Sequence, residues 1–353
     1  EFLSSPEQTV LQAGLDAGVA LPHGCKSGTC GQCKAKVLQG DLAHDDHAEG
    51  ALGADERAQG YALLCRAHAS SNLRVQVRVA DADAIPARKM PGRIEHLTWP
   101  APDVAVLTVR LPAAEPFVFR PGQYVDIILG NGQRRSYSIA SSNADQGTID
   151  FHIRHMPGGE FTDALFKQAT PSVRERGILR LEGPLGSFYL HEDSNSPLVL
   201  LASGTGFAPI KGILEMIFAK GLNRPDPATG RAGRPVVLYW GARAQSDLYM
   251  HDLPLQWERD QPNFRYVPVL SEPLTGEQAT EKGVAGWTGR TGFVHHAVMQ
   301  DLPDLSQHRV YACGVPVMVR AAHQDFTTLC HLPSDSFFSD AFVSKADQPA
   351  TAA

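Results

Sequence analysis

The sequence predicts a multidomain chain of mixed α+β and α/β class. It has a small α+β domain folded round a cysteine loop (1–82), a six-stranded antiparallel β-barrel (90–192) and a parallel α/β domain (196–346). Three observations predict it. Four of the six cysteines fall within the first 65 residues. Between Arg93 and Leu181, short strand-like runs alternate with turn signals. From Pro197 onward, strand-like and helix-like patterns alternate, as a parallel sheet with helices on both faces requires. At 353 residues there is room for two or three domains. A net charge of −6 gives no reason to expect nucleic-acid binding, and no apolar run reaches bilayer length.

The first domain is organised by Pro22–Cys33, PHGCKSGTCGQC, with Cys25, Cys30 and Cys33 in one loop and Cys65 after 31 further residues. C-x4-C-x2-C…C is the plant-type spacing for four thiolates holding a [2Fe–2S] cluster. Three ligands converging from one loop exclude a helix or strand there. Gly24, Gly28 and Gly31 permit positive φ and leave amide N–H groups free to approach cluster sulfurs. Structural zinc normally needs two C-x2-4-C pairs, and only one is present; two disulfides would need an oxidising compartment. The opening EFLSSPEQ has no signal-peptide core, which with the cysteine pattern points to the cytoplasm.

Around this loop, Thr9–Gly18 has helical spacing of Val10, Leu11 and Leu15. Ala35–Leu38 reads as a strand leaving the loop, Asp41–Glu56 as a solvated acidic loop, and Leu73–Val79 as a half-buried strand. His44 and His47 lie among acidic residues without the spacing of a metal site. From about Ser5 to Val79 the domain resembles a plant-type ferredoxin, which implies a β-grasp fold. The family's opening β-hairpin has no counterpart in the eight residues before Thr9, so a reduced sheet is expected.

Ala80–Pro91 reads as a linker. The barrel strands are expected at Arg93–Leu97, Val104–Leu111, Gln123–Leu129, Arg135–Ala140, Thr148–His155 and Ile178–Leu181. Three segments carry chemistry: RSYS (Arg135–Ser138), MPGGEFT (Met156–Thr162) preceded by His152, Ile153 and Arg154, and GPLGSF (Gly183–Phe188). Tyr137 can stack on a flavin ring, Ser138 can reach N5, and Arg135, two residues from Tyr137, shares its face and can pair with phosphate. Gly158 and Gly159 free amide N–H groups at a helix start, where Thr162 adds a hydroxyl. RSYS alone reads as an ordinary strand and PGG alone as a turn. R-x-Y-S followed by G-G-x-x-T resembles the ferredoxin–NADP reductase superfamily, and the resemblance implies FAD ahead of FMN.

In the third domain, strands are expected at Leu198–Leu201, Val236–Gly241, Phe264–Leu270, Arg309–Ala312 and Phe337–Phe342. Helices are expected at Ile210–Phe218, Asp252–Asp260, His295–Asp301 and Val315–Leu329. The turn after the first strand, SGTGFAP, is where a dinucleotide pyrophosphate sits, although it is not G-x-G-x-x-G. Gly204, Thr205, Gly206 and Pro209 resemble the G-T-G-x-A-P motif of the same superfamily, and Cys313, Gly314 and Pro316 its C-G-x-P motif. The resemblance implies that Cys313 lies beside the nicotinamide C4; Val315 replaces the usual second proline. Gly241 and Arg243 end the strand where the adenosine ribose should bind. Asp247 would repel a 2′-phosphate, so NADH is expected ahead of NADPH. The resemblance also offers Phe342, then Phe338, as an aromatic cover for the flavin, against a plain strand-core role for both.

Across Arg93–Phe342 the chain resembles the flavin reductases of multicomponent oxygenases, and the reductase for CDP-6-deoxy-Δ3,4-glucoseen, which has the same domain order. This implies hydride transfer from NADH to flavin, flanked by Ser138 and Cys313, then single-electron transfer through the cluster to a partner. The expected partner is a Rieske dioxygenase or a monooxygenase component, with a sugar dehydrase as the alternative. A redox-sensing binding protein is the rival from another class, but it has no need of a complete hydride path. Neither the terminal substrate nor the oligomeric state is written in the sequence.

Overall fold

The computed structural model describes residues 1–19, 21–24, 26–29, 31–77, 85–114, 116–142, 147–167, 173–230, 232–274 and 286–342. The chain divides into two compact units, Glu1–Ile85 with Asp340–Ala353, and Pro86–Ser339.

In the first unit, helix α1 (Val10–Asp16) is capped by Thr9, whose hydroxyl accepts from Gln12 N at 3.2 Å. It buries Val10 and Leu11. Strands β1 (Lys34–Gln39), β2 (Leu42–His44), β3 (Tyr61–Leu63), β4 (Ala67–Ala69) and β5 (Arg74–Gln76) and helix α2 (Ala54–Ala58) complete it. The sheet runs β3-β1-β5, and β2 pairs separately with β4. Among the described residues no hairpin precedes α1, so the sheet is reduced as expected. The stretch read as a solvated loop differs. Leu42–His44 pairs antiparallel with Ala67–Ala69, Ala54–Ala58 is helical, and Ala51 and Leu52 are in the core. His44 is structural there: its Nε2 accepts from Leu63 N at 3.1 Å.

The second unit opens with β6 (Arg88–Ala101), then β7 (Val104–Arg110), β8 (Tyr124–Ile128), β9 (Arg134–Ser138), β10 (Thr148–Arg154), helix α3 (Glu160–Phe166) and β11 (Ile178–Leu185). The antiparallel order is β10-β7-β6-β11-β8-β9. The two edges meet where Ile139, just past β9, bridges Phe151 of β10, and this seam closes the barrel. Leu107, Val109, Val125, Ile127, Ile139 and Phe151 fill its interior. Strand β6 begins within the stretch read as a linker. Its first half, including Pro91, pairs only with β11, and pairing to β7 starts at Arg93. Pro91 therefore lies on what is locally an edge, where its missing N–H costs no ladder bond.

The remaining elements are β12 (Leu198–Ser203), α4 (Phe207–Ala219), β13 (Val236–Ala242), α5 (Asp252–Asp260), β14 (Phe264–Leu270), β15 (Arg290–Thr291), α6 (Val294–Asp301), β16 (Arg309–Gly314), α7 (Pro316–Leu329) and β17 (Phe337–Ala341). The sheet order is β15-β14-β13-β12-β16-β17, with the first five strands parallel. Strands β12, β13 and β16 are apolar runs buried on both faces, as a helix-covered parallel sheet demands. In α4 the stripe Ile210, Ile213, Leu214 and Ile217 is fully buried.

Candidate functional site

In the cysteine loop, Cys33 and Cys65 are buried, while Cys25 and Cys30 lie outside the described residues. Lys26, Gly28 and Gly31 have φ of 54°, 75° and 77°, so the chain winds through left-handed backbone between the ligand positions. A side chain at Gly28 would strike Arg66 Cγ at 2.8 Å, and one at Gly31 would press on Ala51 O at 3.2 Å. Leu64 N donates to Cys33 O at 3.0 Å, and Leu64 O accepts from Leu11 N at 2.9 Å. These bonds fix the two buried thiols between β1 and α1. Sulfur donors on a loop with left-handed turns and no room for added side chains fit a four-thiolate cluster.

On the barrel, β9 places Arg135 and Tyr137 on one face and Arg134 and Ser136 on the other, where both bond Asp126. Tyr137 lies 5.5 Å from Phe161 between ring centroids, and burial raises its pKa, opposed by Arg135. Ser138 is buried at the end of the strand. Arg135 donates to Gln133 Oε1 at 2.6 Å and to Arg134 O at 2.8 Å. Gly158 has φ of 80° with nothing among the described residues within 4 Å of where a Cβ would stand, whereas Gly159 is closed in by Thr162 Oγ1 and Met156 O. The Thr162 hydroxyl closes that turn, accepting from Met156 N at 3.2 Å and donating to Met156 O at 2.9 Å. Its hydroxyl is thus engaged by the chain itself. A positive-φ glycine with open space, together with the half-buried Tyr137, fits a flavin cradle. Phe338 stacks on Tyr311 at 4.6 Å and packs with His191, a sheet-edge role. Phe342 is half-buried just past β17.

Strand β10 alternates. Ile153 points into the barrel core and offers only backbone to a ligand, while His152 and Arg154 face away from that core. His152 is 5% exposed, and its Nδ1 lies 2.8 Å from Tyr249 OH. Its Nε2 is buried and has no hydrogen-bond partner among the described residues. Burial pulls the His152 pKa down to about 3, helped by nearby Lys211, so the ring is neutral. Burial also raises the Tyr249 hydroxyl well above its ordinary value; Arg154 opposes that shift and Cys313 adds to it. Arg154 donates to Asp103 at 2.8 Å, and its Nη2 is 3.7 Å from where a Gly204 Cβ would stand.

At the carboxyl ends of the parallel strands, Gly204, Thr205 and Gly206 form one 3-10 turn leading into α4, with Pro209 in that helix's first turn. A Cβ at Gly206 would overlap Cys313 O and lie 2.7 Å from Gly314 Cα. A Cβ at Gly314 (φ 144°) would overlap Ser203 Oγ, which accepts from Val315 N at 3.0 Å. The two glycine motifs are therefore packed backbone to backbone. This open-ended turn above a parallel sheet fits a dinucleotide. Cys313 is buried and Pro316 begins α7. Trp240 Nε1 donates to Gly204 O at 3.0 Å and its ring stacks on Phe207 at 4.0 Å, bracing the turn. Gly241 lets Val294 of α6 close on the end of β13, and Arg243 pairs with Asp247 at 3.4 Å.

The sequence reading missed Tyr249, Lys211 and Glu215. Lys211 and Glu215 are the two charged residues of an otherwise apolar helix, and their i,i+4 spacing was the available signal.

Three domain families match the chain: a 2Fe-2S iron-sulfur cluster binding domain over 1–70, an oxidoreductase FAD-binding domain over 93–189 and an oxidoreductase NAD-binding domain over 200–324. The chain is 39% identical to the CDP-6-deoxy-L-threo-D-glycero-4-hexulose-3-dehydrase reductase of Yersinia pseudotuberculosis, over 97% of this chain and 95% of that protein. It is 32% identical to a reductase component of terephthalate 1,2-dioxygenase from Comamonas, over 97% and 94%. The crystal structure of a cytochrome P450 reductase from Amycolatopsis superposes with a TM-score of 0.70 at 32% identity, covering 97% of this chain and 96% of that one.

Proposed function

Because the chain belongs to the iron–sulfur flavoprotein reductases, NAD(P)H-dependent electron-transfer enzymes with a 2Fe-2S domain, an FAD domain and a nicotinamide domain, we propose that it is the reductase component that draws on NADH and supplies single electrons to a partner oxygenase, either a Rieske dioxygenase or a monooxygenase component. The observation that carries this reading is the presence, in one chain, of a thiolate loop, a flavin cradle and a dinucleotide turn. When bound, the flavin and the cluster supply the conversion from a two-electron donor to one-electron steps.

The chain's own residues hold and orient. Cys25, Cys30, Cys33 and Cys65 hold the cluster. Tyr137 supplies the aromatic platform for FAD, Ser138 a hydroxyl for the N5 edge, and Arg135, Arg154, Gly158, Gly159 and Thr162 the groups round its phosphates, with His152 and Ile153 lining the strand. Phe342 is the proposed cover. Gly204, Thr205, Gly206 and Pro209 seat the pyrophosphate, Gly241 and Arg243 the adenosine ribose, and Cys313, Gly314 and Pro316 the nicotinamide end. The preference for NADH is supported by the Arg243–Asp247 pair, in which the Arg243 guanidinium is already matched by a carboxylate. A cytoplasmic setting is supported by the need for reduced thiols. Among the described residues no helix is long and apolar enough to cross a membrane.

The oxygenase partner is supported by relatives named as oxygenase reductase components. A sugar dehydrase partner is the second reading, supported by the 39% identity to the dehydrase reductase. The test is an anaerobic NADH titration of wild type and Cys30→Ser. Both chromophores should bleach in the wild type. The variant should still show flavin bleaching by NADH but pass no electrons to an added oxygenase. Loss of flavin bleaching in a folded, flavin-loaded variant would overturn the proposed order.

A further inference from the structure

Lys211 is 8% exposed, in the second turn of α4. Its Nζ donates to Ala140 O at 3.0 Å and to Glu215 Oε1 at 2.6 Å. Glu215 Oε2 in turn accepts from Ser142 N at 3.2 Å. Between them, Gly212 brings the helix so close that a Cβ there would lie 3.2 Å from both Ile139 O and Ser141 O. Four consecutive residues, 139–142, are thus gripped by one helical turn. This stretch directly continues β9 past Ser138, and Ala140 is two residues, about 7 Å of extended chain, from that serine. The same helix begins at the Gly204–Gly206 turn.

An ion pair with one partner buried and the other half-buried is a weak source of stability, since desolvation offsets much of its attraction; its better-attested use is to fix geometry. We propose that Lys211, Glu215 and Gly212 form a positioning clamp that sets the register of the Ser138 strand against the nucleotide turn, and hence the approach of the nicotinamide to the flavin. All three act through the backbone of 139–142 and through one another. The inference rests on the reading above that Ser138 and Cys313 flank hydride transfer. It accounts for Lys211 and Glu215, the two charged residues of a helix that is apolar elsewhere, and for a glycine inside that helix, which costs about 1 kcal/mol in propensity.

The experiment compares Lys211→Met, Gly212→Ala and Ser138→Ala with wild type in the full-length holoenzyme. Amide hydrogen exchange over 139–142 is read first, with and without bound flavin. Stopped-flow mixing with NADH is read second, for the long-wavelength nicotinamide–flavin charge-transfer absorbance and for the rate of flavin reduction. Lys211→Met removes the grip, and Gly212→Ala pushes the strand away with the grip intact. Both should speed exchange over 139–142, weaken the charge-transfer band and slow flavin reduction about ten- to a hundredfold, the order expected for a misplacement below about 1 Å. Flavin content and NADH dissociation constant should stay within about twofold, a split that general destabilisation would not produce. Reduction within twofold of wild type in both variants, while Ser138→Ala is slow, would overturn the clamp. If Ser138→Ala is itself as fast as wild type, the Ser138 assignment fails instead. The clamp is then decided by exchange and charge-transfer absorbance: both changed supports it, both unchanged overturns it. Should Lys211→Met not fold, Gly212→Ala decides alone by the same readouts.

Discussion

Two side chains carry consequences that can be measured directly. Asp247 pairs with Arg243 at 3.4 Å and also accepts from Ala244 N at 3.3 Å, so its carboxylate is anchored just past the carboxyl end of β13, the proposed ribose site. Asp247→Asn keeps the backbone bond, removes the charge that would repel a 2′-phosphate and releases Arg243. The NADPH-to-NADH ratio of kcat/KM should rise about tenfold, equivalent to about 1.4 kcal/mol for one surface charge contact. His152 is the second case. Its folded-state pKa of about 3 lies below the ordinary 6.5, so the unfolded chain takes up a proton that the native ring refuses. Stability from this group is intact above pH 6.5 and falls as pH drops toward 3, by about 1.4 kcal/mol per unit. Urea unfolding at pH 7.5 and pH 5 should show wild type losing about 2 kcal/mol more than His152→Leu over that interval.

Elements meet tightly where β16 runs into the turn before α4. Gly206→Ala places a methyl group against the Cys313 and Gly314 backbone, which cannot swing aside as a side chain can. Chemical unfolding should show a loss of about 1–3 kcal/mol, the usual range for overpacking, together with weaker NADH binding by titration. Elements of this kind were legible in the sequence wherever period and length were ample: the α4 stripe, the buried runs of β12 and β13 and the alternation of β7. They were not legible where pairing is short or remote. Strands β2 and β4 have three residues each, too few for a period to show, and the acidic surroundings of Ala51 and Leu52 hid their burial. Pro91 read as a breaker because sequence does not reveal that β6 has only one neighbour there. Motif glycines were readable where positive φ or close backbone approach demands them, as at Gly28, Gly31, Gly206 and Gly314. Tyr249 was not, because its partner His152 lies 97 residues away and nothing local marks the meeting. That the Thr162 hydroxyl also closes its own turn, through Met156, was not legible from local sequence.

At the scale of the whole molecule, the division into Glu1–Ile85 with Asp340–Ala353 and Pro86–Ser339 means that unfolding need not be all-or-none. Calorimetry of the holoprotein should resolve two transitions, and Cys30→Ser should lower only the one belonging to the cysteine-loop unit, since that unit alone loses its metal-linked stability. A single transition shifted as a whole would contradict this. The barrel and the parallel sheet, by contrast, share one unit, and the seam at Ile139 and Phe151 shows why they resist being traded separately. The segment that closes the barrel is held from outside by the neighbouring domain's helix. A chimera that exchanges the nicotinamide domain at the natural joint near residue 195 would set a foreign helix against a native seam, leaving edge strands ready to pair with other chains. Changing the coenzyme specificity of such an enzyme by domain grafting therefore means transplanting two stretches far apart in the gene, 139–142 and 207–215, as a matched set.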